Sequence, residues 1–280
     1  MNRTCIQLLA TTALLLLAAN AQAAITCNIS SPGITTAYNP AATAKNITQS
    51  QFTVTCQRNS GSDPTTLNFS VEADTSTTAV SGGNTINYDL YRDSLCVSTW
   101  SRNDSRRLPN PAPGTMTLSG FIPTSAAVSY WGCIPALQNK PAGIYTDTTT
   151  MYLYSGSVPG TLMTSATFPV AIHVRSTCAI TTSPGTVIFN YTSYGPAINP
   201  TTTIGLTCTS SLPYTVALDS PTTGTLLGLN YSLALSPASN VGSGLQKFHT
   251  ITGTMAAGQA GTCAVGACSA SQTHTLTITY

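Results

Sequence analysis

The sequence predicts an all-β protein with two related β-sandwich domains. Three observations lead to this prediction: a cysteine-containing segment occurs twice, short alternating segments rich in Thr, Val, Ile and Tyr fill the chain, and Gly, Pro, Asn and Ser separate them. Alternation bounded by turn residues is typical of half-buried strands. After the N-terminal segment no stretch shows helical periodicity over three turns, so the many short strands favour immunoglobulin-like sandwiches.

The repeat divides the chain into two copies. Residues 27–56 read CNISSPGITTAYNPAATAKNITQSQFTVTC, and residues 178–208 read CAITTSPGTVIFNYTSYGPAINPTTTIGLTC. Both begin with Cys-x-Ile, continue through Ser-Pro-Gly, an aromatic residue and Asn-Pro, and end on an alternating run into Thr-Cys. A repeat of this kind indicates two copies of one folding unit. We therefore predict one domain at residues 24–175 and a second at residues 176–280.

Residues 1–23 have the features of a secretory signal peptide. Arg3 precedes an apolar run over residues 6–19, and residues 21–23 have the small-x-small pattern of a cleavage site. The run is shorter than the roughly 20 apolar residues that a membrane-spanning helix needs. The sequence therefore predicts an exported protein that does not insert into a membrane.

Export places the cysteines in an oxidising compartment, where disulfides form. Of the nine cysteines, Cys5 leaves with the signal peptide and eight remain. Eight cysteines allow about 105 pairings, and the repeat together with membership of the same copy selects among them. The spacing of the last two cysteines also fits a metal site, but the compartment favours a disulfide. The inferred pairs are Cys27–Cys56, Cys178–Cys208, Cys96–Cys133 and Cys263–Cys268.

Composition argues for binding or assembly rather than catalysis. Charged residues make up 6% of the chain, against about 25% in typical globular domains. The net charge of +2 provides no broad field for binding nucleic acid. His173, His249 and His274 stand in strand-like segments without an acid or thiol nearby in sequence, and the common catalytic motifs are missing. We predict no enzymatic activity, no cofactor and no metal.

The two copies end differently. In the first, a loop at residues 155–165 leads into a further strand-like segment at residues 166–174. The second copy ends on residues 275–280, which match residues 148–154 of the first, so we expect its final strand to be missing. A sandwich without its last strand has an open edge. A strand from another chain can complete such a domain by β-augmentation.

The mature chain is expected to begin close to its first cysteine. Only three residues stand between the predicted cleavage site and Cys27. A donated strand needs an extension of about ten residues. We therefore expect this chain to accept a strand and not to donate one, which makes it a terminal subunit in any polymer joined by donated strands.

Several of these residues resemble the spore coat protein U domain family. They are the Cys-x-Ile starts, the paired cysteines, the tyrosine-led strands at residues 88–92 and 231–235, the Gly-Ile-Tyr-Thr-Asp run at residues 143–147 and the tyrosine ending. That family includes subunits of archaic chaperone–usher pili. Two such domains without a donor segment look like the tip adhesin of a Csu-type pilus. The second copy departs from the family pattern at residues 269–273, where a Gly-x-Tyr-x-Asp run is lacking.

The resemblance implies partners and a location. It implies a periplasmic pilus chaperone that lends the missing strand, an outer-membrane usher and an adjacent pilin subunit that donates a strand. It also implies that the first domain contacts an abiotic or host surface and supports biofilm formation. The chain is then expected to pass through the periplasm to the cell surface, at the pilus tip.

The resemblance also implies that the first domain binds surfaces through apolar loops rather than a sugar pocket, and the sequence offers candidates for these loops at the pole opposite the linker. Strand alternation in a sandwich assigns three connections of the first domain to that pole, and apolar residues in exposed loops are candidates for contact. Alternatively, Phe121 and Ile122 belong to a buried strand. Trp131, beside Cys133, is expected in the core. The candidate contact residues are Val158, Pro159, Leu162, Met163, Phe121, Ile122 and Pro123.

Two other functions remain open at the level of sequence. A structural spore-coat or extracellular matrix protein would use the same domains without a specific target, and strand exchange would distinguish it from a pilus subunit. A polysaccharide hydrolase would need two carboxylates facing one cleft. Asp74, Asp89 and Asp93 are the candidates for such a pair.

Overall fold

The computed structural model describes residues 25–74, 76–100, 111–157, 160–264 and 266–280. The predicted signal peptide lies outside these ranges, as do Val158 and Pro159. The described residues form strands joined by turns and loops. They contain no helix with the length and apolar character needed to cross a membrane.

The first repeat and the residues that follow it form eleven strands and two facing sheets. One sheet has the order β1-β3-β9-β7, and the other has the order β2-β11-β10-β4-β8, with the β5–β6 hairpin attached to β10. Neighbouring strands are antiparallel except for β2 and β11, which are parallel. The strands are β1 Thr26–Ser30, β2 Ile34–Tyr38, β3 Asn46–Gln57, β4 Thr66–Asp74, β5 Thr78–Ser81, β6 Asn84–Asn87, β7 Asp89–Tyr91, β8 Ala112–Thr117, β9 Thr124–Ile134, β10 Gly143–Ser155 and β11 Thr161–Val174.

Alternation along the strands produces the core between the two sheets. In β11, Phe168, Val170, Ile172 and Val174 are buried, while the residues between them are exposed or half-buried. This period of two places one face of the strand on the core and the other in solvent. Burial of each such side chain contributes about 1.5–3 kcal/mol, so this strand is a main contributor to the first core.

An aromatic cluster occupies the centre of the first core. The Trp100 ring stacks on Phe52 with centroids 5.2 Å apart and lies 6.3 Å from Phe168. Its indole N–H donates to the carbonyl of Val71 over 2.8 Å. This bond satisfies the one polar group of the side chain, which burial would otherwise leave without a hydrogen bond.

The expectation that Trp131 lies in the core is wrong. Tyr130 is buried and Trp131 is half-exposed, because successive residues of β9 point to opposite faces. Trp100 fills the core in its place, although it stands in a loop segment beyond β7.

The second repeat forms eight strands and a smaller core. Its sheets have the orders β12-β13-β18-β16-β15 and β17-β14-β19. Ile204, Leu206, Cys208, Tyr214 and Val216 form its buried apolar cluster. The strands are β12 Cys178–Thr182, β13 Thr201–Cys208, β14 Pro213–Leu218, β15 Thr223–Leu226, β16 Leu229–Ser236, β17 Ser239–Val241, β18 Gln246–Met255 and β19 Leu276–Thr279.

The disulfides of the structure are the four pairs inferred from the repeat and from membership of the same copy. Cys27–Cys56 joins directly opposed residues of β1 and β3, and Cys178–Cys208 does the same for β12 and β13. Cys96–Cys133 ties the loop after β7 to β9, and Cys263–Cys268 closes a short loop between β18 and β19.

A short connection joins the two sets of sheets. Strand β11 ends at Val174, and β12 begins at Cys178. The backbone N–H of Thr177 donates to Oγ1 of the buried Thr209 over 3.0 Å, and that hydroxyl lies 3.1 Å from the carbonyl of Arg175. The connection is therefore held against the second domain, and our division between residues 175 and 176 falls within it.

The aromatic cluster leads to a first prediction. Changing Trp100 to Ala removes a fully buried indole and leaves a cavity, so we expect a loss of about 3–5 kcal/mol in the free energy of unfolding. The matched control, Trp131→Ala, removes a half-exposed indole and is expected to cost about 1 kcal/mol. Denaturant melts followed by circular dichroism measure both. A larger loss for Trp131→Ala would show that the core is assigned to the wrong tryptophan.

Candidate functional site

The last strand of the second domain has a free edge. In the first domain β10 pairs with β4 on one side and with β11 on the other. In the second domain β19 pairs with β14, from Thr215↔Thr279 to Leu218↔Leu276. Within the described residues no strand lies on the other side of β19. The position that β11 fills in the first domain is therefore vacant in the second.

A second unpaired segment borders the same vacancy. Strand β2 follows Ser-Pro-Gly in the first repeat, and its partner in the sheet is β11. Residues 186–191 follow Ser-Pro-Gly in the second repeat, and their sequence TVIFNY is rich in β-forming types. They nevertheless pair with no described strand, because the strand that would bind them is the one that is lacking. By correspondence with β10 and β2, which flank β11 in the first domain, we infer that strand β19 and residues 186–191 form the two walls of an open groove.

Apolar residues line this groove. Ile29 and Ile180 are the Cys-x-Ile isoleucines of the two repeats, yet Ile29 is 5% exposed and Ile180 is 54% exposed. Strand β1 contacts β11 in the first domain, whereas no counterpart of β11 covers β12 among the residues that the structure describes. Likewise Met151 and Leu153 of β10 are fully buried, and Leu276 and Ile278 of β19 are half-buried against the second core. The second core is exposed where a further strand would cover it.

A hydrogen-bonded network fixes the start of β19. The Asp219 carboxylate accepts the backbone N–H of Thr275 over 3.0 Å and lies 2.7 Å from Nδ1 of His274. Nε2 of His274 lies 2.9 Å from the hydroxyl of Tyr231. The hydrogen bond from Thr275, together with that from His274, lowers the pKa of Asp219 below its ordinary value. The sequence could not reveal this pair, because Asp219 and His274 are 55 residues apart and meet only in the folded sheet.

Three connections meet at the pole of the first domain that lies opposite its link to the second. Ser155 pairs with Thr161 at one end of the β10–β11 hairpin, and Gly143 pairs with Val174 beside the link. The end of β3 lies opposite the start of β9, and the start of β4 lies opposite the end of β8. The connections at residues 58–65, 118–123 and 156–160 therefore share this pole, which we call the distal pole.

The β8–β9 connection presents apolar side chains at the distal pole. Phe121 is 56% exposed, Ile122 is 65% exposed, and Pro123 is exposed. They lie in a connection between strands, so the alternative of a buried strand is wrong. The amide of Gln57 donates to the carbonyl of Phe121 over 2.7 Å. The Arg58 guanidinium lies 5.9 Å from the centre of the Phe121 ring, so part of this connection is held in place.

The β10–β11 hairpin differs from the predicted loop. Its connection is shorter, at residues 156–160, and Leu162 and Met163 belong to β11. Leu162 pairs with Tyr154 and is 52% exposed. Met163 falls at a register shift opposite Leu153 and Tyr154, and it packs half-buried against the core. It therefore differs from the exposed loop residue that we expected.

These features define a two-domain, immunoglobulin-like, all-β protein in which one sandwich is complete and the other is open. The chain belongs to the Spore Coat Protein U domain family, which matches residues 12–152. The match covers most of the first domain. The second domain is related to the first through the cysteine-bounded repeat.

Two solved structures are similar to this chain. One is the crystal structure of the CsuC–CsuE chaperone–tip adhesion subunit pre-assembly complex from archaic chaperone-usher Csu pili of Acinetobacter baumannii, with 13% identity and a TM-score of 0.45 over 90% of this chain and 100% of that chain. The other is the CupB6 tip adhesin of Pseudomonas aeruginosa, with 11% identity and a TM-score of 0.41 over 84% of this chain and 90% of that chain. Among curated proteins, none matches this sequence.

The two Cys-x-Ile isoleucines provide a second prediction. Ile29→Ala removes a buried side chain, and we expect a loss of about 2–5 kcal/mol in the stability of the first domain. Ile180→Ala changes an exposed side chain at the same place in the repeat, and we expect a change within about 0.5 kcal/mol. Denaturant melts of the chain without the signal peptide measure both. Equal losses would contradict an open groove above Ile180.

Proposed function

We propose that this protein is the tip adhesin of an archaic chaperone–usher pilus. In this proposal the second domain joins the chain to the next pilin by accepting a donated strand, and the distal pole of the first domain attaches to surfaces and promotes biofilm formation. The observation that carries the proposal is the vacancy between β19 and residues 186–191, at the place where the first domain has β11.

The occupant of the vacancy is an extended strand with alternating apolar residues. Strand β11 shows what such an occupant looks like, because it pairs antiparallel with β10 and parallel with β2. Four inward residues of β11 supply apolar surface that the second domain lacks. A strand from another chain, placed antiparallel to β19, would satisfy the free edge and cover Ile180. This is β-augmentation with side-chain pockets for specificity.

The first domain supports a terminal place in the polymer. Its own β11 closes the sandwich, so it needs no donated strand. In this proposal the chain accepts a donated strand at the second domain, which leaves the distal pole of the first domain free to face outward. The open edge of the second domain is prone to aggregation when unprotected. That property favours a periplasmic chaperone that covers the groove, and an outer-membrane usher and an adjacent pilin that replace it during export to the cell surface.

A peptide taken from this chain tests strand acceptance. We expect a synthetic peptide of residues 161–174 to bind the chain of residues 24–280 and to raise the melting temperature of its second domain. A free peptide concentration of 100 times the dissociation constant raises the free energy of unfolding of the second domain by about 2.7 kcal/mol. That gain shifts the melting temperature by several degrees. Calorimetry with increasing peptide concentration measures the shift.

Two altered peptides serve as controls. Val170→Glu with Ile172→Glu puts charge on the inward face and is expected to abolish the shift, whereas Ala171→Glu with His173→Glu alters the other face and is expected to retain most of it. If none of the peptides raises the melting temperature, the second domain is self-contained and a structural coat or matrix protein becomes the better explanation.

Attachment is proposed to depend on the apolar side chains of the distal pole. Phe121, Ile122 and Leu162 are each more than half exposed, and Pro123 stands beside them. Val158 and Pro159 belong to the same connection in sequence, and we retain them in the proposal together with Met163. The low charge of the chain suits contact with an apolar surface, because little desolvation of charged groups opposes it.

Substitutions at the distal pole test attachment. The variant Phe121→Ser with Ile122→Ser and Leu162→Ser is expected to lower adsorption of the chain to polystyrene at least tenfold, because burial of each side chain is worth about 1.5–3 kcal/mol. Ile144→Ser, which changes an exposed isoleucine beside the link at the other pole, is the control. Circular dichroism confirms folding, and undiminished adsorption of the triple variant would refute the assignment.

A further inference from the structure

The first domain contains a glutamine whose hydrogen bonds connect three elements. The backbone N–H of Gln138 donates to the hydroxyl of Tyr38, at the end of β2, over 2.8 Å. Its side-chain amide exchanges two hydrogen bonds with the backbone of Asn87: Oε1 accepts from the N–H over 2.7 Å, and Nε2 donates to the carbonyl over 2.7 Å. We call this arrangement the glutamine clasp.

The second domain repeats the glutamine clasp in each of its hydrogen bonds. The backbone N–H of Gln259 donates to the hydroxyl of Tyr191 over 2.9 Å. Its Oε1 accepts the N–H of Asn230 over 2.7 Å, and its Nε2 donates to the carbonyl of Asn230 over 3.0 Å. The preceding residue has a left-handed backbone in both domains, at Leu137 with φ 57° and at Gly258 with φ 77°. The two glutamines are therefore equivalent residues of the repeat.

A glycine six residues before each glutamine adds a second shared feature. A Cβ on Gly132 would collide with the side chain of Ile34, the first residue of β2. A Cβ on Gly253 would collide with the side chains of Phe189 and Val187. In both domains, therefore, a side chain of the segment after Ser-Pro-Gly packs directly on the glycine backbone. A larger residue at the glycine position would prevent this contact.

The glutamine clasp and the packing on the glycine have different roles in the two domains. In the first domain β2 is also held by its ladder of hydrogen bonds to β11. In the second, residues 186–191 lack a strand partner among the described residues. The Phe189 ring packs against Tyr231 with centroids 5.7 Å apart, and Tyr191 is bound by Gln259 and donates to the carbonyl of Gly195 over 3.3 Å. Side chains thus hold this wall while its backbone is left for an incoming strand.

We propose that Gln259 is a positioning residue for strand acceptance, because it holds residues 186–191 in place as the second wall of the groove before the donor strand arrives. The inference rests on the proposed strand acceptance and names the residue that prepares the site. A wall that is already in place lowers the cost of ordering on binding. Without the clasp, only the fraction of molecules with the wall in place could bind, and apparent affinity would fall by that fraction.

Binding kinetics of the peptide of residues 161–174 to the chain of residues 24–280 test this inference. We expect Gln259→Ala to lower the association rate constant about tenfold, because it removes the two side-chain hydrogen bonds to Asn230 that fix the backbone N–H of residue 259 opposite the hydroxyl of Tyr191. The dissociation rate constant is expected to stay within about twofold, because the bound strand itself then holds the wall. Loss of a residue that only stabilised the fold would not lower the association rate constant while leaving the dissociation rate constant unchanged.

Gln138→Ala is the matched control, since it removes the same hydrogen bonds from the domain that has its own β11. It is expected to lower the melting temperature of the first domain and to leave both rate constants unchanged. Tyr191→Phe, with Tyr38→Phe as its control, repeats the test with a smaller change in case Gln259→Ala fails to fold.

Wild-type association rates for both Gln259→Ala and Tyr191→Phe, or a loss confined to dissociation, would overturn the role of Gln259 and leave strand acceptance intact. A wild-type chain that does not bind the peptide would overturn strand acceptance itself, and the role of Gln259 with it.

Discussion

The structure depends on the pairing of one strand with two others. Strand β11 bonds to β10 on one side and to β2 on the other, and it contributes four buried side chains to the core between the sheets. A single segment thus closes a sheet, orders a neighbour that has no other sheet partner, and completes a core. Where its counterpart is lacking, all three effects are lost together: β19 keeps a free edge, residues 186–191 form no strand, and Ile180 is exposed.

Much of this arrangement could be predicted from the sequence, because it follows from periodicity and repetition. The fold class follows from alternation. Two of the cysteine pairs follow from the repeat, and the other two follow from membership of the same copy. The expected lack of a last strand follows from the match of residues 275–280 to residues 148–154. These features depend on local pattern or on comparison of the chain with itself. The exposure of Phe121 and Ile122 needed the fold, because their sequence fits a buried strand as well as a connection.

Other features could not be predicted, since they depend on tertiary register. The partial exposure of Trp131 reflects which face of β9 meets the core, and Trp100 is buried from a loop beyond β7. Met163 packs toward the core because of a register shift between β10 and β11, and no local sequence pattern predicts that shift. The pairing of Asp219 with His274 and the equivalence of Gln138 with Gln259 arise from side chains that meet across loops. Comparison of the two halves could have revealed the glutamines, each six residues after a glycine, but only with a reason to align them there.

The chemistry of the glutamine clasp suits the place it occupies. A side-chain amide offers both N–H donors and a carbonyl acceptor. In each domain it binds the N–H and the carbonyl of a single backbone residue, as a neighbouring strand would, and so fixes the backbone N–H of the glutamine that binds the tyrosine hydroxyl of the wall. Side-chain anchors of this kind can hold a β-segment without occupying the edge that a strand needs. A charged group could hold the wall as firmly, but it would bring a desolvation cost next to an apolar groove. In a chain with 6% charged residues, neutral hydrogen bonds keep the groove both open and apolar, which is what an incoming strand with alternating apolar residues requires.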